Sequence, residues 1–163
     1  MRTQTRIAMN ALALVAVLFD CGTSVFAADR HVGLYYPEPQ TREEYKARAK
    51  TLPDVDRGRR IDFVNGLTAH MLASPYPPQF AVFAKGTRAQ KLIIVSLYDN
   101  SFNTLYRARA LLAMLTAVSR QTPYFQKHGV NSFFTFYDLL VLLGFERLTI
   151  SDGENFAYQV TFK

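Results

Sequence analysis

The sequence predicts one α+β domain, with an antiparallel sheet of about five strands and three helices packed largely on one face. The first observation is the order of the segments, which reads strand, helix, hairpin, two helices and a second hairpin. The second is that no repeat, low-complexity tract or linker divides the 163 residues. The composition, 49% apolar and 20% charged, excludes a disordered tail and a polytopic membrane protein.

An export signal is predicted before the domain. Residues 1–27 begin with Arg2 and Arg6, continue in a mostly apolar run and end in the small-x-small pattern at Ala27. We expect cleavage after Ala27, a periplasmic location and a domain over residues 28–163; an uncleaved anchor is the alternative. The signal holds two of the 19 basic residues, one of the 13 acidic residues and the one cysteine. Its removal leaves a net charge of +5 and a cysteine-free domain, which excludes disulfides and thiolate catalysis.

The domain is predicted to begin irregularly and to enter a first strand. Residues 29–40 contain a glycine and two prolines that interrupt regular structure. Residues 41–52 are ambiguous, because Thr41 and Glu44 fit a capping box at a helix start. Apolar and basic side chains alternate over residues 45–50, and this period of two favours the strand that we predict.

A helix and a hairpin are predicted next. Apolar residues recur at helical spacing up to about Ala73, and Asp54 or Asp56 caps the start. Residues 79–85 and 90–98 are apolar runs separated by a short turn, which indicates a hairpin. Because both faces of each run are apolar, we expect central strands covered on both sides, or uncovered only where a partner binds.

Two further helices and a second hairpin complete the domain. The second helix is predicted over residues 99–121, and its lack of a polar face indicates burial around most of its circumference. The third is predicted over residues 132–143 and ends at Gly144. The last hairpin turns at Asp152 and Gly153 between runs of alternating polarity, so we expect one buried and one solvent-exposed face.

Three charged residues, Arg107, Arg109 and Asp138, occupy positions where the helical pattern expects apolar side chains. A buried charge without a partner is costly, so each needs a partner or a path to water. One interpretation is an ion pair between the second and third helices, or arginine head groups that reach solvent. The other is an anion-binding pocket in which Arg107 or Arg109 lies beside tyrosines such as Tyr106 and Tyr137.

A candidate basic patch, formed by Arg57, Arg59 and Arg60, begins the first long helix. Such a cluster is typical of a solvated basic turn. A helix start with additional arginines can also hold a phosphate or a carboxylate, and a net positive charge attracts anionic lipid headgroups.

No cluster of residues identifies a reaction. His31, His70 and His128 lack ligand spacing, so no metal site is expected. The chain has neither a Gly-x-Ser-x-Gly elbow nor a glycine-rich nucleotide loop, and we expect no cofactor and no nucleic-acid partner. These features favour a non-catalytic periplasmic accessory or binding protein, whose partner is another envelope protein or a small anionic ligand. An enzyme with an unfamiliar site and a protein of the anionic membrane surface are the alternatives.

A resemblance to a known family rests on four stretches: YPPQFAVFAKG at 76–86, TLYRARALLA at 104–113, FFTFYDLL at 133–140 and SDG at 151–153. They resemble small secreted bacterial proteins, some of which are labelled as molybdopterin-guanine dinucleotide biosynthesis proteins. The resemblance covers most of the predicted mature chain and implies an accessory role in molybdenum-cofactor biosynthesis as an alternative function. It supplies no catalytic residue.

Overall fold

The computed structural model describes residues 29–121, 125–126, 129–130 and 132–163. The predicted export signal over residues 1–27 and His128 lie outside the described residues. In the described part of the chain the elements are β1 (Thr41–Tyr45), α1 (Arg57–Leu72), β2 (Phe80–Lys85), β3 (Lys91–Ser96), α2 (Leu105–Arg120), α3 (Phe136–Leu142), β4 (Arg147–Ser151) and β5 (Ala157–Phe162). None of these helices has the length and apolar character that a membrane span requires.

The five strands form one mixed sheet in the order β1-β5-β4-β3-β2. Short turns make β2–β3 and β4–β5 antiparallel hairpins, as predicted. The prediction of a purely antiparallel sheet is wrong, because β3 pairs with β4 in parallel and β1 pairs with β5 in parallel. The connection through α2 and α3 carries the chain back to the end of the sheet at which β3 began, so β4 runs in the same direction as β3.

The helices pack on one face of the sheet, which confirms the predicted arrangement. Side chains alternate along each strand, and those on this face include Leu92 and Ile94 of β3 and Leu148 and Ile150 of β4, which are fully buried. Residues of α1, α2 and α3 belong to the same core cluster. The core therefore lies between the sheet and the helical layer.

The second face of the sheet is covered by the irregular segment that precedes β1. Tyr36 packs there against Ile93 and Ala157, and Asp29 forms an ion pair of 2.6 Å with Arg147. Because this segment lies across β3, β4 and β5, both faces of β4 and most of β5 are buried. The prediction that the last hairpin exposes one face to solvent is therefore wrong.

β2 is an edge strand, whereas we predicted a central one. Its apolar residues are covered on both faces of the sheet. Phe80 and Val82 face the core under the helices, and on the other face the Phe83 ring contacts Tyr35, with 5.2 Å between ring centroids. Apolar side chains on both faces thus indicate that both sides of the strand are covered, and they do not place it in the middle of the sheet. β3 is central and buried on both faces, as predicted.

α2 begins later and exposes more of its surface than the sequence predicts. Asn100 has a positive φ of 62°, which is not a right-handed helical conformation, so the helix does not begin at the predicted residue 99, and Thr104 is the N-cap. One side of α2 is buried against the sheet, but Tyr106, Met114 and Val118 are exposed. In a two-layer fold with helices on one face, the outer side of a helix faces solvent.

The other element boundaries agree more closely with the sequence. β1 forms a strand rather than a helix, and Asp56 caps α1 by accepting a hydrogen bond of 2.8 Å from the Arg59 amide. α3 begins at Phe136, four residues after the predicted start. It ends as predicted at Gly144, which has a φ of +69° and donates to Val141, while Phe145 donates to Leu140. These two bonds form a Schellman motif.

Candidate functional site

Asp138 lies in the first turn of α3 and is fully buried. Its carboxylate accepts hydrogen bonds from the backbone amide and hydroxyl of Thr135 at 2.9 and 3.0 Å. It also accepts from the Arg48 amide at 2.8 Å and the Tyr45 hydroxyl at 3.1 Å. Burial alone would raise the pKa of Asp138, but the hydrogen bonds from Thr135 and Arg48 outweigh it and lower that pKa. Asp138 therefore joins the start of α3 to the segment that follows β1.

Neither candidate arginine of α2 contacts Asp138. Arg107 is exposed and donates to the Asn100 carbonyl and, at 2.9 Å, to Asn103 Oδ1. Arg109 points to β1, where its Nη2 lies 2.5 Å from Glu43 Oε1. The predicted ion pair between the second and third helices is therefore not formed, and both guanidinium groups reach the surface.

A pocket of about 310 Å³ lies where β1, β5, α2 and α3 meet. We name it the tyrosine pocket, and define it by Glu43, Tyr45, Arg109, Thr135, Tyr137 and Tyr158. The structure brings Arg109 and Tyr137 together in this pocket, as the anion-pocket interpretation requires. Arg107 and Tyr106 lie outside it, and Tyr106 is 82% exposed.

A continuous chain of hydrogen bonds crosses the tyrosine pocket. The Tyr158 hydroxyl donates to Glu43 Oε2 at 2.6 Å, while Arg109 holds the other oxygen of the same carboxylate. The hydroxyl groups of Tyr137 and Tyr158 lie 3.2 Å apart. Because Tyr158 uses its proton on Glu43, Tyr137 is the donor to Tyr158. The chain thus runs from α3 through β5 to β1 and ends on α2.

The pairing of β1 with β5 places these side chains on one face. Thr41 of β1 lies opposite Tyr158 of β5, and Glu43 lies opposite Val160. Thr41, Glu43 and Tyr158 therefore share the helical side of the sheet, since side chains two residues apart point the same way. Thr135 caps α3, and the first turn of that helix carries Tyr137 against the strands.

The pocket fixes the protonation of its groups. The hydrogen bond from Tyr158, together with Arg109, lowers the pKa of Glu43 although partial burial opposes it. Burial, and then the tyrosine–tyrosine hydrogen bond, raise the pKa of Tyr137. Burial and the hydrogen bond to Glu43 raise the pKa of Tyr158. At neutral pH the carboxylate is ionised and both hydroxyl groups are protonated.

The candidate basic patch is divided by the fold. Arg59 pairs with Asp54 at 2.7 Å on the surface, and Arg57 is exposed. Arg60 points inward and is only 6% exposed. Its Nε donates to the Arg88 carbonyl at 2.8 Å, so the three arginines do not act as one surface patch.

The two histidines that the structure describes lie apart from the tyrosine pocket. His31 is buried in the segment before β1, and His70 is exposed near the end of α1. In the ranges that the structure describes, no group of three or more His, Cys, Asp or Glu residues is arranged to hold a metal ion.

Glu43, Tyr45 and Tyr158 are not predicted as site residues from the sequence. The hydrogen bond between Tyr158 and Glu43 joins residues that lie 115 positions apart in the sequence. It depends on the parallel pairing of β1 with β5, which no local sequence pattern indicates. A local signal did exist for Asp138, because Thr135-x-x-Asp138 has the form of a capping box, and both of its hydrogen bonds are present.

Comparison with known proteins gives no match, since no protein-family model, curated protein or solved structure matches the chain. The resemblance to small secreted bacterial proteins stays a prediction.

Proposed function

We propose that the protein is a non-catalytic binding protein of the bacterial periplasm, which holds a small organic acid in the tyrosine pocket. The observation that carries this proposal is the hydrogen-bond chain from Tyr137 through Tyr158 and Glu43 to Arg109. Each member is oriented by its neighbour, so the polar groups are fixed before a ligand arrives. Such preorganisation reduces the entropic cost of binding.

The protonation states favour binding over acid–base catalysis. A general acid or base works best when its pKa lies near the working pH. In the tyrosine pocket the pKa of Glu43 is lowered, whereas the pKa values of Tyr137 and Tyr158 are raised. All three shifts move away from neutrality, which suits groups that donate or accept hydrogen bonds without transferring protons.

Arg109 is the residue to which we assign the ligand's acidic group. Its side chain is 56% exposed, its Nη2 is hydrogen-bonded to Glu43, and the guanidinium also interacts with the Tyr158 hydroxyl. The remaining N–H groups can take a carboxylate in a charge-assisted pair. Leu112 and Phe136 supply an apolar wall for the rest of the molecule. The volume of about 310 Å³ lies at the small end of the range for ligand sites.

A titration with small carboxylates tests this assignment. We expect at least one member of a panel of aliphatic and aromatic monocarboxylates to shift the ring resonances of Tyr137 and Tyr158 in NMR spectra. Replacing Arg109→Gln removes the charge and should weaken that binding about tenfold. Arg107→Gln, on the same helix but outside the pocket, is the matched control and should bind as wild type does. Absence of binding by every panel member, or equal weakening in both variants, contradicts the proposal.

The periplasmic location has its own test. If the export signal is read as we expect, protein isolated from its native host begins at Ala28 and appears in the osmotic-shock fraction. N-terminal sequencing and fractionation measure both properties. A protein that retains Met1 and stays with the cytosolic fraction rules out the location, while the titration of the pocket remains independent of it.

A further inference from the structure

A second pocket, of about 610 Å³, lies between the start of α1, the β2–β3 turn and the end of α3. We name it the basic pocket, and define it by Arg57, Arg60, Thr87 and Arg88. It shares no lining residue with the tyrosine pocket. Its chemistry is therefore not explained by the function proposed above.

Arg60 is a buried cation that lacks an acidic partner. It is 6% exposed, and no ion pair within the described ranges includes it. Its hydrogen bonds go to carbonyl oxygens, of Arg88 at 2.8 Å and of Leu143 and Gly144 at 3.4 and 3.3 Å. Carbonyl dipoles compensate a guanidinium only in part, so a buried arginine without a carboxylate leaves positive charge uncompensated.

The pKa of Arg60 is lowered, as expected for a buried cation without an acidic partner. Burial lowers it first, and the neighbouring Arg88 lowers it further. Asp56 and Glu146 raise it in part, although neither carboxylate forms an ion pair with Arg60 in the described ranges. Asp56 accepts the Arg59 amide at the start of α1, and Glu146 forms an ion pair with Arg88.

The remaining groups around the basic pocket add donors. Arg57 is exposed, and in the part of the chain that the structure describes its guanidinium has neither an ion pair nor a hydrogen bond. Thr87, on the β2–β3 turn, also lines the pocket. Lys163 also lines the pocket, although its ammonium is paired with Glu44 at 2.6 Å. Positive side chains on the wall thus outnumber the two acidic ones.

We propose that the basic pocket binds a phosphate group, carried either by a soluble phosphate ester or by a lipid headgroup. A phosphate has several acceptor oxygens, which suit the fork-shaped guanidinium of Arg57 and the Nη2 group of Arg60, whose Nε and Nη1 donate to carbonyls. A bound phosphate would place a negative charge beside Arg60. In the described part of the chain, this buried guanidinium has no carboxylate partner. A single carboxylate offers fewer oxygens to this set of donors.

Inorganic phosphate is the first probe. We expect it to shift the Arg60 Nε–H resonance in NMR spectra, whereas sodium chloride at equal ionic strength does not. Arg57→Gln should raise the dissociation constant for phosphate about tenfold, which is typical for the loss of one charge-assisted contact. This variant is preferred to a change at Arg60, because Arg57 is exposed and its loss leaves the fold intact. The matched control is Arg42→Gln, an exposed arginine on β1 that pairs with Glu38 and lies outside the basic pocket.

Two further ligands distinguish the source of the phosphate group. Phenyl phosphate that binds more tightly than inorganic phosphate, without sedimentation of the protein on phosphatidylglycerol vesicles, assigns the site to a soluble ester. Sedimentation that phosphatidylcholine vesicles do not cause and that inorganic phosphate reverses assigns it to a lipid headgroup. Either result supports the proposal. An unchanged Arg60 resonance in phosphate, or equal affinities of the Arg57 and Arg42 variants, overturns it and leaves the tyrosine pocket unaffected.

Discussion

Replacing Asp138→Ala is expected to lower the free energy of unfolding by about 3–4 kcal/mol. The substitution leaves the Arg48 amide, the Tyr45 hydroxyl and the Thr135 amide without their shared acceptor. An unpaired buried donor costs about 1–3 kcal/mol, and the start of α3 also loses its capping box. Chemical denaturation in urea measures the loss.

Asp62→Ala on α1 is the matched control, because Asp62 is exposed. We expect it to change stability by less than about 0.5 kcal/mol, as is typical of surface sites. An Asp138→Ala protein that stays within the same limit would contradict the role assigned to this carboxylate.

A second substitution at this position, Asp138→Asn, should change the response of stability to acid. Because the folded-state pKa of Asp138 lies below its ordinary value of 3.8, the carboxylate stabilises the fold fully above the unfolded-state pKa. That stabilisation is lost as the pH falls towards and through the lower folded-state pKa. Between pH 6 and pH 3 the free energy of unfolding of Asp138→Asn should therefore fall less than that of the wild type. The difference should have the size that protonation of one carboxylate produces. Glu43 and Asp29, whose pKa values are also lowered, should leave a residual slope.

Replacing Gly144→Ala is expected to destabilise the protein by about 2–3 kcal/mol. Gly144 has a φ of +69°, a conformation that costs other L-residues about 1–2 kcal/mol. A Cβ atom would lie 2.7 Å from Arg60 Nη1 and 3.1 Å from Val55 Cγ1. Arg60 could move only by weakening its hydrogen bonds to the carbonyls at the end of α3. Urea denaturation again gives the difference.

Gly66→Ala separates this effect from the general cost of changing a glycine. Gly66 lies within α1, and a Cβ there meets nothing within 4 Å. Alanine favours a helix over glycine by about 1 kcal/mol, so this control should gain stability. If both variants lose stability equally, the close approach of Arg60 to Gly144 is not the cause.

The features that could be predicted from the sequence are those that depend on neighbouring residues. Asp54 or Asp56 indicates the start of α1, where Asp56 proves to be the cap. Gly144 indicates the end of α3 and Asp152 the last turn. Each acts through hydrogen bonds or dihedral angles within a few residues, which periodicity and capping patterns reveal. The five strands and three helices named in the described ranges agree with the same local signals.

The parallel pairing of β1 with β5 could not be predicted, since no local pattern distinguishes it from an antiparallel edge. The tyrosine pocket depends on that pairing, so Glu43 and Tyr158 were missed. The sequence indicates that Asp138 is a buried charge but does not identify its partners. The helical pattern suggests an arginine, whereas the structure has hydroxyl and amide donors there. Arg60 was assigned to a surface patch because its inward direction depends on the position of α3.

The place of β5 in the sheet has a consequence for how the chain matures. β1 is synthesised first, yet among the described strands it pairs only with the one formed by residues 157–162. A nascent polypeptide therefore lacks the tyrosine pocket until residues 157–162 have been synthesised and are free to pair with β1. The strand order thus makes the assembly of this pocket a late step of folding, and removal of residues 157–162 would detach the first strand together with Glu43.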